Sequence, residues 1–440
     1  MSATGIAQRL RAPWTRRESP AAPSRRPPLA LDEAVAGEEV TTAQGRFFRT
    51  RDVRPSRGKY GGEVLRAFAA VRPSSLAFLT ADATLASFEP HRAVFLDTET
   101  TGLAGGTGTY AFLVGLGFFQ GERFVIEQYF MRSFGEERAM MAHVAERIAE
   151  FPGVVTFNGR GFDLPLLQTR FIMSRQRRAA ARLEAWTHLD LLPAARHLWR
   201  EALPNCKLSS LEAAVLGVRR HEDVPSWLIP SIYLDFVRTR DARRLRPVFE
   251  HNRYDILTMV ALGSYAARML VQPLELRPGR PRQGAEIAAV ARLHERRGHT
   301  ARSARLYAAA LRQPLPDDLR AKTLWRLGMV CKRQRAWPAA AEVWQRIVDQ
   351  EPALRLPALI ELAKLYEHRR PDLARAKVLA AQAYRLWQQA PDDPGTRLLA
   401  AVESSQRPLG AALRHRLSRL ERRLARGAPP GPPAGTTRYG

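Results

Sequence analysis

The chain has 440 residues, of which 45% are hydrophobic, and this size and composition fit a folded protein of two or three domains. It carries 69 Lys and Arg against 43 Asp and Glu, a formal net charge of +26. A field of this sign attracts polyanions, so nucleic acid is a candidate partner, although high-GC coding produces a similar Arg-rich composition. No apolar run approaches the roughly 18 residues of a membrane helix and no secretory signal is recognisable, so we expect a cytoplasmic protein without a membrane partner.

Composition divides the chain into five segments. Residues 1–35 form a basic tail rich in Arg, Pro, Ala and Ser, which we expect to be disordered. Residues 36–90 contain short apolar runs and a GKYGG turn, and we expect this extension to pack on the next domain. Residues 91–270 are predicted to form an α/β domain, and residues 285–392 a domain of helical repeats. Residues 393–440 contain a basic amphipathic helix, PLGAALRHRLSRLERRLAR, and a second disordered tail.

The α/β segment alternates apolar strands with helices. HRAVFLDTETTG, TYAFLVGLGFF and FVIEQYFM predict three successive strands, and GVVTFNG predicts a further short one. Helical periodicity is present in EERAMMAHVAERIAEF, FDLPLLQTRFIMSRQ, HLDLLPAARHLW and the long run that begins at RRLRPVFEHNRYD. Hairpin strands followed by strands that alternate with helices predict a mixed sheet covered by helices.

The segment 285–392 is rich in Ala, Leu, Arg and Trp and repeats itself. ARLHERRGHTARSARLYAAAL, GMVCKRQRAWPAAAEVWQRIV and AKLYEHRRPDLARAKVLAAQAY align, with Leu293, Val330 and Leu365 spaced 37 and 35 residues apart. A period near 34 residues with helix–turn–helix character is typical of tetratricopeptide repeats, which offer a surface for a protein partner. An irregular helical bundle with accidental similarity is the alternative.

The first candidate site residues lie in VFLDTETTG. Because side chains alternate along a strand, Asp97 and Glu99 point to one face, where the two charges repel each other. A divalent cation relieves that repulsion, and Mg²⁺ or Mn²⁺ prefers carboxylate oxygens. Thr100 and Gly102 follow, and a glycine there lets the backbone approach a substrate closely. An isolated Asp-x-Glu would more often be a solvated strand end, but the DTETTG string is much rarer.

Two later motifs contribute further polar residues. Asn158 ends the short strand GVVTFNG and Asp163 follows at the start of a helix, where an Asp is often only a cap. In EHNRYDILTMVAL, His251 and Asp255 are four residues apart and therefore lie on one helix face. A hydrogen bond between the two residues, without any further role, is the alternative. Each motif is weak when it is taken alone.

Together the three motifs resemble the DEDD 3′→5′ exonuclease superfamily, which combines acid-x-acid on a first strand with later Asp motifs. The closer resemblance is to bacterial YprB-like ribonuclease H-like proteins, which also carry C-terminal helical repeats. The strings that carry it are FLDTETTGLAGGTGTYAFLVGLGFF, VVTFNGRGFDLPLL, LPNCKLSSLE and EHNRYDILTMVAL. The resemblance covers residues 91–270 well and the repeats weakly.

The resemblance implies an α/β fold with a ribonuclease H-like mixed sheet and flanking helices, followed by an all-α tetratricopeptide-like repeat domain. Asp97, Glu99, Asp163 and Asp255 would hold two divalent metal ions, Mg²⁺ or Mn²⁺, for an in-line phosphoryl displacement. His251 would be the general base, a role that suits an imidazole titrating near neutrality. Thr100 and Asn158 would contact the substrate.

The resemblance implies a metal-dependent nuclease, of the 3′→5′ exonuclease type on single-stranded DNA or RNA. One departure concerns the base, because His251 stands four residues before Asp255. In the relatives, a Tyr has this four-residue spacing, whereas a His stands five residues before the last Asp. Two alternatives stay open. One is a nucleic-acid-binding or adaptor protein with weak or no turnover that acts through its repeats, and the other is a structure-specific endonuclease.

Overall fold

The structure of the protein is a computed structural model that describes residues 27–102, 107–221, 223–275, 283–389 and 409–427. Most of both predicted disordered tails, and part of the GLAGGTGT string, lie outside the described residues. The chain divides into two compact units. The first is drawn from Met1–Gly58, Arg92–Trp186 and Arg219–Leu257, and the second from Lys59–His91, Thr187–Val218 and Thr258–Gly440.

The regular elements of the described residues follow in chain order. The strands are β1 (Glu38–Thr42), β2 (Gly45–Pro55), β3 (Lys59–Tyr60), β4 (Glu63–Val64), β5 (Val94–Thr100), β6 (Ala111–Gln120), β7 (Arg123–Phe130), β8 (Gly153–Thr156) and β9 (Thr187–Asp190). The helices are α1 (Leu31–Ala34), α2 (Pro73–Thr80), α3 (Glu137–Ile148), α4 (Asp163–Met173), α5 (Arg177–Ala185), α6 (Leu191–Trp199), α7 (Leu208–Leu211), α8 (Ile229–Thr239), α9 (Arg246–Val271), α10 (Gln283–Arg296), α11 (Thr300–Ala310), α12 (Asp317–Arg333), α13 (Trp337–Gln350), α14 (Arg355–His368), α15 (Leu373–Gln389) and α16 (Leu409–Gly427).

The first unit is built on a mixed sheet. Six of its strands lie in the order β1-β2-β7-β6-β5-β8. Neighbours are antiparallel except β5 and β8, which run parallel and pair Val94 with Val154. The predicted ribonuclease H-like mixed sheet is confirmed. Strands β1 and β2 come from residues 36–90, where the sequence indicated only short apolar runs.

Burial of both faces explains why the central strands are apolar without interruption. Every residue of β6 from Ala111 to Phe118 is buried, as a strand covered on both sides requires. Helix α3 packs on β2, and α8 packs on β5. Phe112 of β6 stacks on Tyr233 of α8, with ring centroids 4.0 Å apart. This rigid core fixes the end of β5, which carries the acidic motif.

The second unit is largely helical. Helices α10 and α11, α12 and α13, and α14 and α15 form three consecutive hairpins. Leu293, Val330 and Leu365 are buried on the first helix of each hairpin, which agrees with the period of the sequence repeat. Helix α16 is the predicted basic amphipathic helix; its Arg419 donates at 2.8 Å to the fully buried Glu367 of α14. None of the described helices is long and apolar enough to cross a membrane.

Two short elements of the second unit refine the sequence predictions. The GKYGG turn is confirmed as the β3–β4 hairpin, in which Gly61 and Gly62 both adopt positive φ (55° and 79°), as the tight hairpin turn requires. HLDLLPAARHLW is only partly helical, because Thr187–Asp190 forms strand β9. Asp190 accepts a hydrogen bond from the Leu192 amide at 3.0 Å, so it caps α6 and the helix begins after it.

Candidate active site

The three sequence motifs meet in one cavity of the first unit, with a volume of about 170 Å³. Its walls come from the end of β5, the loop after β8, the start of α4, and helix α9. The lining residues are Asp97, Thr98, Glu99, Thr100, Phe157, Asn158, Phe162, Asp163, Ser226, Pro230, His251 and Asp255. Every residue that the sequence singled out for the site therefore lines this cavity.

A buried amide network holds Asp97. Asn252 of α9 donates from Nδ2 to the Asp97 carboxylate at 2.7 Å and to its backbone carbonyl at 3.2 Å. Asn252 in turn accepts from Gln128 of β7 at 2.8 Å, and Gln128 accepts from Thr50 of β2 at 2.9 Å. Because each member is buried and bonded, the network fixes the orientation of Asp97 across three strands.

The close approach of α9 to the sheet requires a glycine at position 115. A Cβ there would lie 2.2 Å from Asn252 Oδ1 and 2.8 Å from Ile256 Cδ1. We expect Gly115→Ala to destabilise the protein by about 1–3 kcal/mol, because the helix or the amide must move, and to reduce activity by releasing Asp97. Denaturant unfolding and activity assays check this. Gly108→Ala, at a position where no atom of the described residues lies within 4 Å of the added Cβ, is the control and is expected to change neither.

The other carboxylates and the predicted substrate contacts have separate partners. Asp163, at the first turn of α4, accepts from the Thr98 hydroxyl at 2.6 Å. Thr100 donates to the carbonyl of Gly102 at 2.8 Å, which stabilises the turn after β5. Asn158 adopts φ 67°, a left-handed conformation that Asn tolerates better than most residues, and this directs the chain toward α4.

His251 is oriented by an acid outside the predicted motifs. Its Nδ1 lies 2.7 Å from the Asp223 carboxylate, while its Nε2 faces Ser226 Oγ at 3.4 Å and Asp255 at 3.6 Å. The His251 ring therefore has partners other than Asp255, the residue one helical turn away. Because Asp223 holds Nδ1, Nε2 is the nitrogen that faces the carboxylates.

Asp255 has a cationic partner, Arg220. The guanidinium donates to Asp255 Oδ1 at 2.5 Å and lies 3.5 Å from Asp223 Oδ2. It also stacks over the ring of Tyr254, with Cζ 5.5 Å from the ring centroid. The Arg220 side chain is only 4% exposed, so this is a buried ion pair and not a screened surface contact.

Negative charge is in excess in this cavity. Burial, followed by the charges of Asp255, Glu99 and Asp163, raises the pKa of Asp97 well above its usual range. Burial also raises the pKa of Glu99 to about 8, although His251 partly opposes this. Burial alone lowers the pKa of His251, but the bond to Asp223 and the charges of Asp255 and Glu99 outweigh it and raise that pKa to about 9. The ring is thus protonated at neutral pH, whereas the sequence predicted titration near neutrality.

Two comparisons with known proteins concern the domain that contains this cavity. Residues 94–267 match the sequence model of the RNase H superfamily. These residues form a ribonuclease H superfamily domain. A protein of Bacillus subtilis (strain 168) named uncharacterized protein YprB is 29% identical to the chain over 290 residues, which is 66% of this chain and 68% of that protein. The predicted family resemblance is confirmed.

The donor set of the ribonuclease H-like domain fits divalent metal ions in its chemistry. Asp97, Glu99, Asp163 and Asp255 offer hard carboxylate oxygens in one cavity, where burial, followed by the neighbouring carboxylates, raises the pKa of Asp97, and burial also raises the pKa of Glu99. Within the described ranges, no three acidic, His or Cys side chains are already gathered to hold a metal ion. One of the four carboxylates, Asp255, is already paired with Arg220.

The same electrostatics predict how the stability of the ribonuclease H-like domain depends on pH in a chelator. Glu99 has a folded pKa near 8, above its unfolded value of 4.5, so its ionisation removes stability as pH rises between them. His251, raised to about 9, contributes stability that is complete below 6.5 and lost as pH rises to 9. We therefore expect Tm to fall from pH 5 to pH 9. Thermal scans test this, and an equally steep fall in Glu99→Gln would contradict it.

Sequence reasoning missed four residues of this ribonuclease H-like site. Asn252 stands between His251 and Arg253 and was indistinguishable from a solvated helix residue, although Gly115 opposite it leaves room for its amide. Arg220 and Asp223 lie in a loop without periodicity, and Ser226 begins a short 3-10 helix, all some 30 residues before Asp255. The RRHED string was visible, but only a fold shows which of its charges enter the cavity.

Proposed function

We propose that the protein is a metal-dependent nuclease that hydrolyses phosphodiester bonds of nucleic acid, as a 3′→5′ exonuclease on single-stranded DNA or RNA. The observation that carries this proposal is the meeting of Asp97, Glu99, Asp163, Asp255 and His251 in one cavity of a ribonuclease H-like domain. The net charge of +26 supports a polyanionic substrate. We place the protein in the cytoplasm.

The four carboxylates would hold two divalent cations, Mg²⁺ or Mn²⁺. Once bound, these ions would activate a water molecule and stabilise the leaving 3′ oxygen. The task of the chain is to hold the carboxylates in place, and the Thr50–Gln128–Asn252 network does this for Asp97. The Thr98 hydroxyl does the same for Asp163.

His251 is the proposed general base, with Asp223 as its orienting partner. Asp223 accepts from Nδ1, which leaves Nε2 toward the carboxylates and fixes the tautomer once the ring is neutral. A base must lose its proton first, and cations on the four carboxylates would cancel the negative charge that now raises the pKa of His251. Thr100 and Asn158, which both line the cavity, are the proposed substrate contacts.

A ladder assay separates the exonuclease from a structure-specific endonuclease. Single-stranded DNA and RNA oligonucleotides labelled at the 5′ end are incubated with purified protein and Mg²⁺ or Mn²⁺. We expect stepwise shortening from the 3′ end with release of mononucleotides, and protection by a 3′-terminal block. Equal cutting of blocked and unblocked substrates, or cutting only at a junction, would replace the exonuclease by the endonuclease.

One observation favours a second function, a nucleic-acid-binding or adaptor protein with weak or no turnover. The buried guanidinium of Arg220 occupies Asp255, which a nuclease needs for metal. The helical hairpins α10–α15 would then be the working surface, as tetratricopeptide-like repeats that take a protein partner. Binding of a partner through the hairpins, with no cleavage of any nucleic acid under either metal, would establish this function.

A further inference from the structure

A second cavity, with a volume of about 390 Å³, lies in the second unit at the start of α2. Its polar walls are Arg72, Ser74 and Ser75 from the first turn of α2, together with His294, His299 and Arg302. No acidic residue is among the described residues that line it. The start of an α-helix carries partial positive charge, which adds to the charges of Arg72 and Arg302 and favours an anion.

The wall contains a buried polar atom that lacks a partner. His294 is 5% exposed, and its Nε2 makes no hydrogen bond within the described part of the chain. Its Nδ1 lies 3.2 Å from Nδ1 of His299, so one ring donates to the other. When His294 accepts this bond, its Nε2 carries the proton and becomes a donor.

A second unpaired donor lies beside the same wall. Arg297 stacks on Phe78, which also lines the cavity, with Cζ 4.3 Å from the ring centroid. Its Nη2 is buried and has no hydrogen-bond partner among the described residues. Buried polar groups normally find partners. One of these two nitrogens belongs to His294, which lines the cavity, and the other to Arg297, which stacks on the lining residue Phe78.

The charges that act on this wall are all positive. Burial, followed by the charges of Arg302, His299 and Arg297, lowers the pKa of His294 to about 4. Burial and Arg296 also lower the pKa of Arg297. No carboxylate offsets these groups in either case, so an anionic ligand would relieve their repulsion.

We propose that this cavity binds a phosphate group of a nucleotide, through Arg302, His294, His299 and the start of α2. Tetrahedral phosphate suits several donors that converge from different elements, and Arg is well matched to its oxygens. The phosphate assignment stands on this cavity alone, while the nucleotide identity rests on the proposed nuclease function. The phosphate can belong to a free mononucleotide or to a strand, and the two sources are distinguished by experiment.

The test is a titration of the full chain in a chelator, so that no cleavage occurs. Inorganic phosphate, thymidine 5′-monophosphate and a short oligothymidylate are added separately, and the ring signals of His294 and His299 are followed by NMR. We expect saturable shifts of both signals with all three ligands. Tighter binding of the oligothymidylate than of the mononucleotide identifies a strand, and equal binding identifies the free nucleotide.

Arg302→Gln and Arg305→Gln form a matched pair on α11, since both remove one exposed Arg and only Arg302 lines the cavity. We expect about tenfold weaker phosphate binding in Arg302→Gln and no change in Arg305→Gln. His294→Gln is expected to weaken binding as well. Absence of His294 and His299 shifts, or equal loss of affinity in the two Arg variants, would overturn the proposal. Because the readout needs no metal and no cleavage, it is independent of whether the nuclease assay succeeds.

Discussion

Replacing Asp97 by Asn is expected to reduce nuclease activity by about a thousandfold or more while raising the stability of the metal-free protein. A carboxylate that holds a catalytic metal contributes several kcal/mol of transition-state stabilisation, and about 4 kcal/mol corresponds to a thousandfold in rate. Stability rises because Asp97 is buried against Asp255, Glu99 and Asp163, whose charges raise its pKa. Asn keeps the shape and can still accept from Asn252.

Thermal scans in a chelator and single-turnover cleavage assays measure the two effects. We expect an increase in Tm of about 2–4 °C for each kcal/mol of repulsion removed. Asp235→Asn is the control, since Asp235 is exposed and pairs with Arg238 at 2.8 Å away from the cavity. It is expected to leave both quantities unchanged. Full activity in Asp97→Asn would remove Asp97 from the metal site.

The second large effect is expected at Arg220, where removal of the guanidinium should tighten metal binding about tenfold or more. Arg220 donates to Asp255 at 2.5 Å, so a cation that binds Asp255 must first displace it. A charged hydrogen bond of this kind is worth about 1.5–3 kcal/mol, which is tenfold or more in affinity. In a chelator, Arg220→Gln is expected to be less stable than the wild type, because Asp255 and Asp223 lose their partner.

Calorimetric titration with Mn²⁺ measures the affinity directly. Arg219→Gln removes the same charge at the neighbouring exposed position and is expected to bind Mn²⁺ as the wild type does. Arg220→Lys keeps a cation with fewer donors and should lie between the wild type and Arg220→Gln. Weaker Mn²⁺ binding in Arg220→Gln would mean that Arg220 supports the metal site and does not compete with metal.

The sequence predicts those parts of the site that local patterns encode. Strands β5, β6, β7 and β8 were expected from apolar runs, and helices α3, α4 and α9 from periodicity. Strand alternation places Asp97 and Glu99 on one face, and the DTETTG string is rare. The strand alone was therefore almost enough to predict that both residues line one cavity. Asp163 and Asp255 were identified only because their motifs occur in a fixed order together with the acidic strand motif. Neither motif indicates a site when it is taken alone.

The partners of these residues depend on contacts far apart in sequence, and local patterns do not encode them. Asn252 reaches Asp97 only because Gly115, on another strand, has no side chain. Asp223 and Arg220 come from an irregular loop, and their bonds to His251 and Asp255 decide the charge state of the cavity. For this reason the residues that line the cavity were predictable, whereas the raised pKa of His251 was not.

The most direct test of the account is cleavage of paired single-stranded DNA and RNA oligonucleotides by the purified full chain. Each is incubated with Mg²⁺, with Mn²⁺ and with a chelator, beside Asp97→Asn. We expect hydrolysis of at least one of the two nucleic acids with either metal, none in the chelator, and none above background in Asp97→Asn. Hydrolysis that persists in the chelator or in Asp97→Asn, or no hydrolysis of either nucleic acid with either metal, would contradict a metal-dependent nuclease site built on these carboxylates.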